Sequence, residues 1–179
     1  MKSNHPLDNL VPEFRMEVLI AYDQLESYQC AEDLCARVSQ RVGAGCEMNL
    51  TAWNFRLLQS AHIMCSVARQ AARAALIIIA ADGAQGLPSG IKTWIAMILG
   101  AKGPGPGLFV VQLHGIGSDD KERAPAYSYL KQLVEAAGLD FLAQVVEPMH
   151  LTTNYCATGI QERANKRTAL LEGILLQKK

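Results

Sequence analysis

The sequence predicts an α/β protein, a three-layer α/β/α sandwich around a five-stranded parallel sheet in the order 2-1-3-4-5. Three observations carry that expectation. Ala75-Leu76-Ile77-Ile78-Ile79-Ala80-Ala81 is a continuous apolar run without polar alternation, as befits a central strand covered on both faces by helices. Short β-type runs alternate along the chain with longer segments of helical period, the pattern of successive strand-helix-strand units. A Gly-containing turn follows the apolar run and leads into a helix opened by Leu87-Pro88-Ser89-Gly90. In open sheets of this kind ligands bind beyond the carboxyl ends of the strands, so residues 82–88 fall at the expected ligand edge.

The elements follow in order. Residues 1–14 read as a mobile lead, and residues 15–179 as a single domain. Residues 16–22 (Met-Glu-Val-Leu-Ile-Ala-Tyr) make the first strand, ended by Asp23. Leu25, Tyr28, Ala31, Leu34, Val38 and Val42 recur three or four apart and predict the first helix, stopped at Gly43. Cys46, Met48, Leu50 and Ala52 alternate with Glu47, Asn49 and Thr51, the period of a half-buried strand near a sheet edge. Trp53, Asn54 and Phe55 lead into a second helix with the stripe Leu57, Leu58, Ala61, Cys65, Ala68 and Ala72. After the central run, a third helix follows Pro88 and buries Ile91, Trp94, Ile95, Ile98 and Leu99.

The Gly103-Pro104-Gly105-Pro106-Gly107 stretch is a connector that enters the fourth strand, residues 108–113, and so is not a dinucleotide fingerprint. Pro125, Leu130, Leu133, Val134 and Ala137 mark the fourth helix, with Gly138 as its stop, and residues 141–146 the fifth strand. A C-terminal helix is expected over residues 160–177 to complete the second layer. Right-handed crossovers would wrap these helices on both faces of the sheet.

Composition narrows the partners. A chain of 179 residues suits one domain burying roughly 70% of the surface its unfolded form exposes. Lys plus Arg and Asp plus Glu both number 17, so no overall field draws the protein to nucleic acid or to a membrane surface. Neither partner is expected. Cys30, Cys35, Cys46, Cys65 and Cys156 form an odd set without a Cys-x-x-Cys pair, read as reduced and mostly buried thiols. Residues 1–10 lack the basic-then-apolar order of a secretory signal, and no apolar run approaches the roughly 20 residues of a membrane span. The expected compartment is the cytoplasm. Association as a homodimer is expected through the exposed face of the third helix or through residues 160–176.

On the predicted sheet the loops gather Asp23, Asp82, His114 and His150 at one edge, with Gly83, Gly86 and Gly115 in the intervening turns. Two carboxylates and two imidazoles there would suit acid/base chemistry or a divalent cation. The competing reading makes Asp23 the N-cap of the first helix, with Glu26 in the capping-box position, and Asp119 or Asp120 the cap of the fourth. Trp53, Phe55 and Trp94 read as packing aromatics before stacking platforms. Cys156 stands in a loop and is a candidate reactive thiol.

The run from Ala75 to Trp94, with Pro88, Ile91, Lys92 and Trp94 opening a helix after an apolar strand, resembles the flavodoxin-like group, including flavin-dependent quinone and FMN reductases. That resemblance implies the same sheet order and raises FMN as a cofactor. The loop that holds the FMN phosphate in that group is rich in Ser, Thr, Gly or Arg. Here it reads Asp23-Gln24-Leu25-Glu26-Ser27, whose carboxylates oppose a phosphate, so FMN is disfavoured. Asp23 and Asp82 also resemble the acidic positions of response-regulator receiver domains, which implies phosphorylation at Asp82. Trp53, Phe55 and Leu58, taken with the Pro88 to Trp94 run, resemble a bacterial family without an assigned activity. The expected function is a small-molecule-binding or interaction module; a flavin-dependent NAD(P)H oxidoreductase and a receiver-like signalling domain are the alternatives.

Overall fold

Runs of Val, Ile and Leu too apolar to face water on either side need neighbours on both edges and cover on both faces. A computed structural model, which describes residues 14–42, 46–102 and 107–146, shows how they obtain them. The elements are β1 (Phe14–Tyr22), α1 (Leu25–Val42), β2 (Cys46–Asn54), α2 (Phe55–Leu58), α3 (Ala61–Arg73) and β3 (Leu76–Asp82). They continue with α4 (Ser89–Ala101), β4 (Leu108–His114), a 3-10 helix (Ser118–Arg123), α5 (Pro125–Ala136) and β5 (Asp140–Val146). The five strands are parallel, in the order β2-β1-β3-β4-β5. This is the predicted fold, an α/β sandwich of flavodoxin-like topology.

The order explains the layers. With right-handed connections, the step from β1 to β2 runs one way along the sheet, and the steps to β3, β4 and β5 run the other way. The first step puts α1 on one face and the rest put α2 to α5 on the other. The larger core joins Leu19, Ile77, Ile79, Phe109 and Val111 to Leu58 of α2, Val67 of α3, Trp94 and Ile98 of α4, and Leu130 of α5. The smaller core sets Ala31 and Cys35 of α1 against Val18, Ile20, Ile78 and Val110. Each residue of β3 from Leu76 to Ala81 is buried, as an apolar run without alternation requires. Gly138, at φ +71°, ends α5 in the left-handed conformation, with Leu139 N–H donating to the Val134 carbonyl at 3.2 Å.

Three helical and strand patterns differ from expectation. The expected second helix is two helices, because Gln59 and Ser60 interrupt it; the phase restarts, so Val67, Ala68 and Ala71 are buried while Leu57 and Cys65 are exposed. On α1 the buried residues are Ser27, Ala31 and Cys35, and Leu25 and Val42 in the end turns are exposed. Ser27 can enter the core because its hydroxyl donates to Asp23 Oδ1 at 2.7 Å, a compensation that a hydrophobic stripe does not register. On β2 the inward alternation holds for Cys46 and Met48 but not for Leu50 and Ala52, since an edge strand is covered along only part of its length.

The four cysteines among the described residues are free, and they are not mostly buried as expected: Cys35 is buried, Cys30 and Cys46 are half-buried and Cys65 is exposed. Burial pushes the Cys35 thiol up to about 11. No helix among the described residues is long and apolar enough to cross a membrane. Phe14, expected as the last residue of the lead, opens β1; residues 1–13, Gly43, Gly103 to Pro106, His150, Cys156 and the expected C-terminal helix lie outside the described residues.

Candidate functional site

The carboxyl ends of β1, β3 and β4 bring Asp23, Asp82 and His114 to one edge, next to the point where the strand order reverses. Asp82 and His114 are register partners, so their side chains leave the same face of adjacent strands. The two carboxylates lie close enough to His114 to act on its charge.

Both carboxylates are already engaged within the fold. Asp23 accepts from the Ser27 hydroxyl and, through Oδ2, from Asp82 N–H at 2.7 Å; Asn54 Nδ2 donates to the Asp23 carbonyl at 3.2 Å. Asp23 therefore clamps β1 to the end of β3. It is not the expected N-cap: its carboxylate reaches the side chain of Ser27 and a strand amide, and accepts from no α1 backbone amide. The connection from β1 to α1 is only Asp23 and Gln24. Asp82 accepts from Ala84 N–H at 2.9 Å and from Gln85 Nε2 at 3.1 Å, shaping its own turn as an Asx-type residue. Asp119 and Asp120 lie in the first turn of the 3-10 helix, and α5 opens on Ala124 and Pro125 without a side-chain cap.

The glycines have different reasons to be there. Gly83 N–H donates to the His114 carbonyl at 2.8 Å, and a Cβ on Gly83 would stand 2.7 Å from Ile116 Cδ1. Gly115 has φ +72°, which turns the chain sharply after β4 and leaves room beside Asp82 Oδ1. Gly86 meets nothing closer than Pro125 Cβ at 3.9 Å, so space does not require a glycine there.

Besides the indole N–H groups of Trp53 and Trp94, the unspent hydrogen-bonding capacity among the described residues lies on β4. His114 Nε2 is buried and has no partner among the described residues. Two residues earlier on the same face, Gln112 is 1% exposed, and neither its Nε2 nor its Oε1 is paired among the described residues. Gln144 of β5 is its register partner on that face. Sequence reasoning alone does not single out Gln112 as a site residue. Its signal was a lone carboxamide inside the apolar run 108–113, where each polar side chain calls for a stated partner.

Burial pushes the His114 imidazole below its ordinary 6.5, and Asp23 and Asp82 partly offset that. A lowered pKa in the folded chain means that the unfolded chain binds the proton first. The neutral imidazole's contribution is thus complete above about pH 6.5 and is lost as pH falls through the lowered value. Urea unfolding of the parent and of His114→Gln is expected to show the parent losing more stability on acidification across that window, with the variant's profile flatter.

Chemically, the edge offers one neutral imidazole and one carboxamide, with the carboxylates held by backbone and side-chain donors. Among the described residues no group of three His, Cys, Asp or Glu side chains is placed to hold a metal ion. Trp53 is half-buried against the larger core, and Phe55 and Trp94 lie within it. No protein-family model matches the chain, and no curated protein is similar to it.

Proposed function

We propose that the chain is a flavodoxin-like small-molecule-binding module whose ligand edge is formed by His114 and Gln112 at the carboxyl end of β4. The observation that carries this is Gln112, a fully buried side chain with both amide atoms unpaired among the described residues. A buried unpaired amide is costly, and such a group in a folded protein calls for a ligand, a water or a catalytic role. The site lies where open α/β sheets take their ligands. The two-residue link of Asp23 and Gln24, with its carboxylate turned onto Ser27 and Asp82, supports a module without an FMN-phosphate loop. The free cysteines accord with a reducing cytoplasm as its compartment. The same reading groups the chain with the bacterial proteins it resembles at Trp53, Phe55, Leu58 and the Pro88 to Trp94 run.

The test combines spectroscopy with one variant. Freshly purified protein is expected to show no visible flavin band and to leave FMN fluorescence unquenched on titration; stoichiometric flavin would replace this reading with the oxidoreductase one. Gln112→Leu is expected to stabilise the ligand-free chain by about 1–3 kcal/mol in urea unfolding, because it removes the unpaired amide. It should also abolish the thermal shift given by fragments that stabilise the parent. A destabilised Gln112→Leu would mean that the amide is satisfied within the chain and would sink the proposal.

A further inference from the structure

A cavity of about 490 Å³ lies between α3 and the β1–β2 side of the sheet, away from the ligand edge. That volume is within the range of small-molecule sites. Its floor includes Leu19 of β1 and Thr51 of β2, which are register partners, and its wall is the solvent-facing side of α3 with Ser66, Arg69, Gln70 and Arg73. On its buried side α3 carries only Val67, Ala68 and Ala71, and β2 presents Thr51 to the groove.

The polar groups of this groove are mostly donors. Arg69 and Arg73 stand one turn apart on a helix that contains no acidic residue. The ion pairs among the described residues are Arg15 with Glu47 and Arg123 with Asp120, and neither involves them. Arg73 is in the last turn of α3, where a cation ordinarily serves the terminal carbonyls. Lys102 already fills that role, its Nζ donating to the Ala74 carbonyl at 2.7 Å and to that of Ala72 at 3.4 Å. Gln70 Nε2 donates to Thr51 Oγ1 at 3.1 Å, which leaves the threonine proton to be donated elsewhere. The opposing group is Glu17, whose carboxylate accepts from Asn49 Nδ2 at 2.9 Å. Two guanidinium forks and two hydroxyls thus face one partly satisfied carboxylate.

We propose that this groove binds a phosphate monoester carrying a small apolar body, with the phosphate between Arg69 and Arg73 and the body along the Thr51 methyl and the aliphatic stems of Gln70 and Arg73, above the buried Leu19 and Ala74. Two planar guanidinium forks one helical turn apart match a tetrahedral dianion better than a single carboxylate does. The apolar part of the groove gives the body a place that inorganic phosphate would leave empty. The site is separate from the β4 edge and does not depend on what binds there.

Phenyl phosphate is the probe, titrated calorimetrically into the full chain at low salt. Saturable one-to-one binding is expected, tighter than that of inorganic phosphate. The Arg69→Ala/Arg73→Ala variant should bind about tenfold more weakly or worse, with an unchanged melting temperature because both side chains are exposed. Arg69→Lys/Arg73→Lys should keep part of the affinity, having the charge without the fork. Arg37→Ala/Arg41→Ala, an equally spaced and exposed pair on α1, should change nothing. The proposal is overturned if phenyl phosphate does not saturate, if inorganic phosphate binds as tightly, or if the α1 pair matters as much as the α3 pair.

Discussion

Replacing Trp94 by alanine is expected to remove about 3–5 kcal/mol of folding stability, the largest loss from a single side chain in this protein. Trp94 is 0% exposed on α4 and lies in the larger core with Ile91, Ile95 and Ile98 of the same helix. Truncation there removes a whole indole from a layer whose neighbours are held by the sheet, so the void cannot close. Against a total of about 5–15 kcal/mol for an ordinary domain, such a loss leaves the fold marginal. The indole also carries a cost, since its buried Nε1–H has no partner among the described residues. Trp94→Phe discards that donor together with part of the volume, and the two changes oppose each other. It is expected to cost less than about 1.5 kcal/mol. Urea midpoints of the two variants check both statements, and equal losses would contradict the account of the indole nitrogen.

Asp23→Ala is expected to cost about 2–4 kcal/mol, because it leaves two donors without their acceptor. One is the hydroxyl of Ser27, 3% exposed, and the other is Asp82 N–H at the end of β3. Asp82→Ala is the informative comparison. Its carboxylate serves Ala84 N–H and Gln85 Nε2 in exposed hydrogen bonds that water can replace, so its loss is expected to stay within about 1 kcal/mol. Asn at position 23 retains one acceptor but turns an amide donor toward the second partner, and should fall between alanine and the parent. Unfolding curves for the three variants decide the matter. A cost at Asp82 equal to that at Asp23 would mean that the strand clamp is not what the first carboxylate provides.

These two residues differ in how far the sequence announced them. Trp94 sits three and four residues from Ile91 and Ile98, and its burial follows from the period alone. Asp23 follows a strand and precedes a helix, where a cap is the economical local role. Its actual partner, Asp82 N–H, is 59 residues away in sequence. No local pattern encodes that meeting. Gln112 is a third kind of case, since the polar residue in an apolar run was visible but its lack of a partner was not.

What the sequence by itself determined is therefore the alternation of strands and helices and the fold class that follows from it. Continuous apolar runs, helical stripes and the alternation of the two are local properties, and crossover handedness narrows the sheet orders such an alternation can take, β2-β1-β3-β4-β5 among them. The tertiary structure alone decided where the covered faces of α1, α3 and β2 depart from the sequence period, that Gln59 and Ser60 divide one helical pattern into α2 and α3, and which polar groups find partners. It also showed that the two predicted acids at the carboxyl edge of the sheet are held by their own fold, while His114 Nε2 and the Gln112 amide have no partner among the described residues. The physical reason is range. Periodicity and turn chemistry act over a few neighbouring residues, whereas burial and hydrogen-bond satisfaction depend on groups that only chain folding brings within about 3 Å of each other.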